Sequence, residues 1–208
     1  MALPSECRMP DLSGLDSPLV PRLLIQLLFV RHGLSQKTSG YLINFIRLVD
    51  KALREYHQAR EAILAQIAEM NRSPEEMTRD GRSIYLLSFT DHIETCINAV
   101  QRLCKLLGRI KAEGESPKIP RELRRQVEVA EEKIKAIRSA IEHMDELIRE
   151  GDTGVGKPIM AAGNQEWDAI LVSDRELKFE ELATALRIMH QIALYVLPTK
   201  KANSATSS

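Results

Sequence analysis

The chain has no excess of charge of either sign. Its 208 residues hold 29 Lys+Arg and 29 Asp+Glu, a formal net charge of zero. That balance excludes the overall basic field of a protein held to nucleic acid mainly by phosphate contacts, though not a local basic patch. Cysteine is also scarce. The three present, Cys7, Cys96 and Cys104, are odd in number and scattered, which argues against a disulfide framework and for a reducing, cytoplasmic setting. No C-x-x-C or Cys/His cluster has the spacing of a zinc site, so no metal or other cofactor is expected. The apolar run "LLIQLLFV", Leu23 to Val30, is too short to span a bilayer, so no membrane association is expected. The stretch before it is acidic and broken by proline, unlike the basic start of a secretory signal. No repeat of fixed period is evident. What is plentiful is aliphatic and charged sequence, 44% hydrophobic and 28% charged, enough for one sizeable core.

From Thr38 onward the pattern is helical. Leu42, Phe45, Ile46, Val49, Leu53, Tyr56, Ile63, Ile67 and Met70 recur at threes and fours, one buried stripe on a long helix. "SPEE", Ser73 to Glu76, reads as a capping box with proline at the first helical position. A second long helix is expected from about Arg82 to Lys111. The third, from near Pro120, carries Val127, Ala130, Ile134, Ile137, Ile141, Met144 and Ile148 in a heptad seam, suited to bundle packing or to a partner helix. "WDAILVSDRELKF" reads as a β-hairpin over 167–179, and a last helix runs from Glu180 to Leu197 before Pro198. The expected architecture is mainly all-α: an antiparallel bundle of about four helices with a small hairpin before the last. Residues 1–35 form an N-terminal extension that packs loosely or is disordered, 36–197 one domain, and 198–208 a polar tail.

Two stretches suggest nucleotide or phosphate chemistry and fail on context. In "IREGDTGVGKP", Gly151, Gly156 and Lys157 fit the start of a phosphate-binding loop. Such a loop sits between a buried strand and a helix. Here it follows a charged helix, and Pro158 replaces the hydroxyl residue that would hold magnesium. A helix stop at Gly151 followed by a flexible connection fits better. "VRHG", with Arg31 and His32, resembles the active-site entry of the histidine phosphatases if the apolar run before it is a strand. That α/β family needs further strands and a second catalytic histidine, which a helical chain does not offer.

The third helix contains "RSAIEH", Arg138 to His143. This matches the R-x4-6-H pattern and resembles the HEPN superfamily, compact helical bundles that are commonly dimeric. Many are metal-independent ribonucleases of toxin–antitoxin and phage-defence systems. The resemblance covers this helix and the bundle architecture, with Ser139 directly after Arg138 and Glu142 beside His143. It implies that Arg138 stabilises the scissile phosphate and that His143 acts as general acid or base on the ribose 2′-hydroxyl. It also implies a homodimer, and an RNA substrate or an antitoxin-like protein partner. From the residues alone another reading stays open. Five positions place Arg138 and His143 ~140° apart on an ideal helix, so convergence needs a helix distortion or a second copy. Arg138 can instead pair with Glu142 four residues on, leaving His143 on a solvated face. The protein would then be a non-catalytic helical interaction or dimerisation module.

Weaker candidates complete the survey. His92 with His57 and a nearby acid could suggest a metal-binding bundle, but the Glu-x-x-His spacing is absent. "RELRRQ", Arg121 to Gln126, could contact RNA or an acidic partner, though a solvated charge run explains it. Cys96 and Cys104 lie on apolar stripes and read as core residues.

Overall fold

The computed structural model describes residues 3–15, 18–29, 35–113, 119–151 and 157–197. Arg31 and His32, most of the Gly-rich connection and the C-terminal tail lie outside the described residues. The fold is mainly all-α. Four long helices, α2 (Gln36–Met70), α4 (Leu86–Ala112), α5 (Arg121–Glu142) and α7 (Phe179–Val196), make the bundle. Three shorter ones, α1 (Leu19–Phe29), α3 (Pro74–Asp80) and α6 (Met144–Glu150), attach to it. A three-stranded antiparallel sheet precedes α7, in the order β1 (Ala162–Gly163), β2 (Ala169–Val172), β3 (Arg175–Lys178).

The stripe on α2 packs along α4 and forms the largest helix pair. Phe45, Ile46, Val49, Tyr56 and Ile63 from α2 meet Phe89, Ile93, Ile97, Val100 and Leu103 from α4, all buried. Local chemistry sets the boundaries. Ser35 accepts from the Thr38 backbone N–H at 3.2 Å and starts α2. Ser73 and Glu76 exchange side-chain and backbone bonds in the expected capping box of α3. α5 lies against α4 on one side and against α7 and the sheet on the other. Most of its heptad seam is therefore occupied within the chain: Val127, Ile134, Ile137 and Met144 are buried, Ala130 and Ile141 half-buried, and Ile148, beyond the break, exposed.

The sheet is locked to the bundle by aromatic rings. Phe89 of α4 stands edge-on to Trp167 at 5.7 Å and to Phe179 at 6.2 Å between centroids. Gly163 in β1 lies so close to the Trp167 ring that a Cβ there would fall 2.4 Å from its Cε3 atom. Thr90 donates to the Ala161 carbonyl at 2.7 Å, and Glu94 accepts from the Ala161 N–H at 3.1 Å, stitching the approach to β1 onto α4.

Three features depart from the sequence reading. The N-terminal segment is not loose where it is described. Met9, Leu12, Leu19 and Leu23 are buried in the common core, Tyr56 donates to the Pro10 carbonyl at 3.0 Å, and Arg60 to the Met9 carbonyl at 3.2 Å. The apolar run, a strand only in the phosphatase reading that fails on context, is helical through Phe29; the Asp50 carboxylate accepts from the Leu19 and Val20 N–H groups and caps α1 from another helix. Finally, the third helix is not continuous to Gly151. It is interrupted at His143, whose φ of −106° and ψ of 18° leave the α region.

Among the described residues no helix is long and apolar enough to cross a membrane.

Candidate functional site

The interruption at His143 is local. Backbone bonds continue on both sides, from His143 N to Ser139 O and from Leu147 N to His143 O, each 3.0 Å. Beyond the turn Met144 stays buried and Leu147 packs on the core. The His143 imidazole is exposed, with Nδ1 3.1 Å from a Glu146 carboxylate oxygen. Opposite an ionised carboxylate, the satisfying tautomer carries its proton on Nδ1 and leaves the Nε2 lone pair free.

His143 and Ser139, one helical turn apart, border a cleft of about 620 Å³ between α5 and the β2–β3 turn. Lys135, also on α5, lines it; Lys157 and Arg175 line it from the other wall. The turn is two residues long. Its first residue, Ser173, is buried and holds a left-handed φ of 52°, a conformation that normally favours glycine. The Ser173 N–H donates to the Pro158 carbonyl at 2.9 Å, which brings Lys157 beside the turn. Glu132 and Asp174 supply the acidic side of the lining, and Arg175 pairs with Asp174 at 3.2 Å. The cleft therefore offers an exposed imidazole, a hydroxyl and three cations facing one volume, an arrangement that suits an anion.

Arg138 and Glu142 are not in that cleft. They pair with each other, and Arg138 Nε donates to Asn98 Oδ1 on α4 at 3.3 Å. The four candidates thus divide between two faces of α5: Ser139 with His143 toward the hairpin, Arg138 with Glu142 toward α4. Within one chain the arginine and the histidine of the R-x4-6-H pattern do not meet.

The remaining candidates take structural places. His92 Nδ1 lies 2.9 Å from a Glu55 oxygen across the α2–α4 pair. Burial pushes the Glu55 carboxyl up, but hydrogen bonds from His92 and Arg54 outweigh it and hold the group below its ordinary range. Among the described residues no three His, Cys, Asp or Glu side chains gather closely enough to hold a metal ion. Cys96 and Cys104 are buried free thiols. Burial pushes Cys104 up to about 12 and Cys96 further, so neither is a nucleophile near neutrality. Gly151 ends α6 with a φ of 72°, the expected helix stop.

Lys135 and Arg175 are not singled out by the sequence, and Lys157 is named there only within the phosphate-loop pattern that fails on context. Lys157 and Arg175 reach the cleft only through the bond between Ser173 and Pro158 and the packing of β3 on α5, which no local spacing encodes. Compared with protein-family models, with curated proteins and with solved structures, the chain matches none.

Proposed function

We propose that the cleft beside His143 binds and cleaves an RNA phosphodiester without a metal, in keeping with the HEPN-like pattern of the helix that carries it. One observation supports this reading most. The break between α5 and α6 sets the His143 imidazole, backed by Glu146, at the edge of a 620 Å³ cleft carrying Lys135, Lys157 and Arg175. His143 Nε2 takes the proton of a ribose 2′-hydroxyl, and that oxygen attacks the adjacent phosphorus. The bond to the 5′-oxygen breaks, and the imidazolium returns a proton to it, leaving a 2′,3′-cyclic phosphate and a 5′-hydroxyl. The cations and the Ser139 hydroxyl hold the phosphate oxygens.

Arg138 departs from the family pattern, since Glu142 and Asn98 hold it on the other face of its own helix. In this reading a homodimer supplies it, with Arg138 of one copy facing the cleft of the other.

The test is cleavage of labelled RNA in EDTA by wild type, His143→Gln and Arg138→Ala, each checked for folding by circular dichroism. Loss of His143 is expected to slow cleavage by about 10²-fold or more. Mixing the two inactive variants should restore part of the activity if the pair forms across copies. Unchanged cleavage by His143→Gln sinks the proposal.

A second reading, a non-catalytic interaction module, draws support from a different surface. Ile84 and Leu87 at the start of α4, and Ile159 and Met160 on the segment stitched to α4, are all exposed. Under that reading partner binding occurs there and not through the α5 seam, most of which is already buried. Wild type that cleaves no RNA would favour it.

A further inference from the structure

On the outer side of α4, away from the His143 cleft, the groove between α2 and α4 has cations but no acid in its lining. Its walls are Tyr41 and Asn44 from α2 and Arg102, Lys105, Leu106 and Arg109 from α4, around a volume of about 330 Å³. All three cations are exposed. Among the described residues none of them makes an ion pair or hydrogen bond. Glu113, at the end of α4, is already paired with Lys37 at 2.6 Å, and that ammonium stands 5.9 Å from the Tyr41 ring. Lys105 stands on a ridge and also borders a second hollow that holds Glu128 and Glu131, so Arg102 and Arg109 are the two committed to the groove.

We propose that this groove binds the phosphate backbone of a single-stranded nucleic acid. The spacing decides against a compact anion. Positions 102, 105 and 109 lie on one helix face at three- and four-residue steps, which spreads the charges over about 10 Å along the axis. A single phosphate is held by cations that converge; a row at intervals of about 5–6 Å meets successive charges of a linear polyanion. Tyr41 places an aromatic ring and hydroxyl beside the row, the combination of basic track and aromatic platform used by proteins that hold single strands. One turn before Arg102, Asn98 accepts from Arg138, so the row leads along α4 toward the arginine of the sequence motif. The zero net charge of the chain makes the local row necessary, since no overall field would gather a polyanion. This groove is separate from the cleavage cleft, and binding here does not depend on catalysis there.

The experiment is fluorescence anisotropy of the full chain with a labelled single-stranded 20-mer, RNA in one arm and DNA in the other, across a salt series. The variant Arg102→Gln/Lys105→Gln/Arg109→Gln is compared with Arg79→Gln/Arg82→Gln/Arg149→Gln, which removes the same charge elsewhere. The groove variant is expected to bind at least about tenfold more weakly and to lose about 2 from its log–log salt slope, from about 0.7 per phosphate contact. The matched control should bind as wild type does, and RNA and DNA should bind alike because phosphates are read. Equal loss in the control would reduce the groove to diffuse surface charge and overturn the proposal. Absence of binding by wild type, binding of RNA alone, or equal binding of a labelled acidic peptide would each overturn it as well. Thermal melts of both triple variants exclude unfolding as the cause. Retained binding by His143→Gln that cleaves nothing separates this proposal from the catalytic one.

Discussion

His190 on α7 is a buried imidazole whose burial lowers its pKa below 6.5; Asp50 works against that shift and Arg22 adds to it. The depressed value has a definite thermodynamic sign. Above about pH 6.5 both folded and unfolded chains hold the ring neutral, and the contribution of this residue to stability is complete. As pH falls through 6.5 the unfolded chain takes up the proton first, so stability drops until the folded value is passed. The wild type should therefore lose more thermal stability between about pH 7.5 and pH 5.5 than His190→Gln does. The substitution changes no other ionisable side chain, so the difference between the two drops isolates this site. Equal drops would mean that the ring is not held neutral in the fold. Residues of this kind are hard to recognise in a sequence. His190 lies on a helical stripe like any apolar neighbour, and only its burial in the assembled fold, with α2 packed on α7, shifts its titration. Arg138 and Glu142 were more legible: a pair four apart on one helix predicts its own bond, and the bond is there.

At the scale of elements, Phe89 carries more of the architecture than its single position suggests. Its ring lies fully buried against Trp167 before β2 and Phe179 at the start of α7, so it joins the helix pair to the sheet. Truncation by Phe89→Ala is expected to cost about 3–5 kcal/mol, read as a shift in the urea midpoint at constant slope. A loss below about 1 kcal/mol would show that the sheet docks without it. The long helices, the capping box at Ser73 and the hairpin over 167–179 all follow from patterns of period 3.6 or 2 and from turn chemistry, and those patterns lie within each element. Two elements escaped such reading for one shared reason. β1 is two residues long and exists only because Ala162 and Gly163 pair with Leu171 and Ile170. α1 is capped by Asp50, a residue outside its own segment. The break at His143 lies in an unbroken heptad pattern, with neither proline nor glycine to mark it.

At the scale of the molecule, the described residues before α2 pack into the common core. Deleting them removes Met9, Leu12, Leu19 and Leu23 from the core, each worth about 1.5–3 kcal/mol when fully buried. Their sum is comparable to the whole stability of an ordinary domain, about 5–15 kcal/mol. The truncated chain is expected to give no cooperative melt, followed by circular dichroism at 222 nm; a melt like that of wild type would refute the docking. Any role for Arg31 and His32 is for that reason tested by point substitution and not by deletion. The candidate cleft belongs to this scale too. His143 and Ser139 could be named from one helix, whereas Lys157 and Arg175 join them only after the sheet has docked on α5.

A ribosome delivers the N-terminal segment first, yet the partners that hold it come later. Asp50 follows Leu19 by 31 residues, Tyr56 follows Pro10 by 46, and Arg60 follows Met9 by 51. At ~5–20 residues per second, Met9 and Leu12 wait for about 3–10 s before the surface that buries them has been made. During that interval the segment carrying Met9 and Leu12 lies outside any fold, its apolar side chains open to a holding chaperone. The pace of translation through α2 sets how long it stays so.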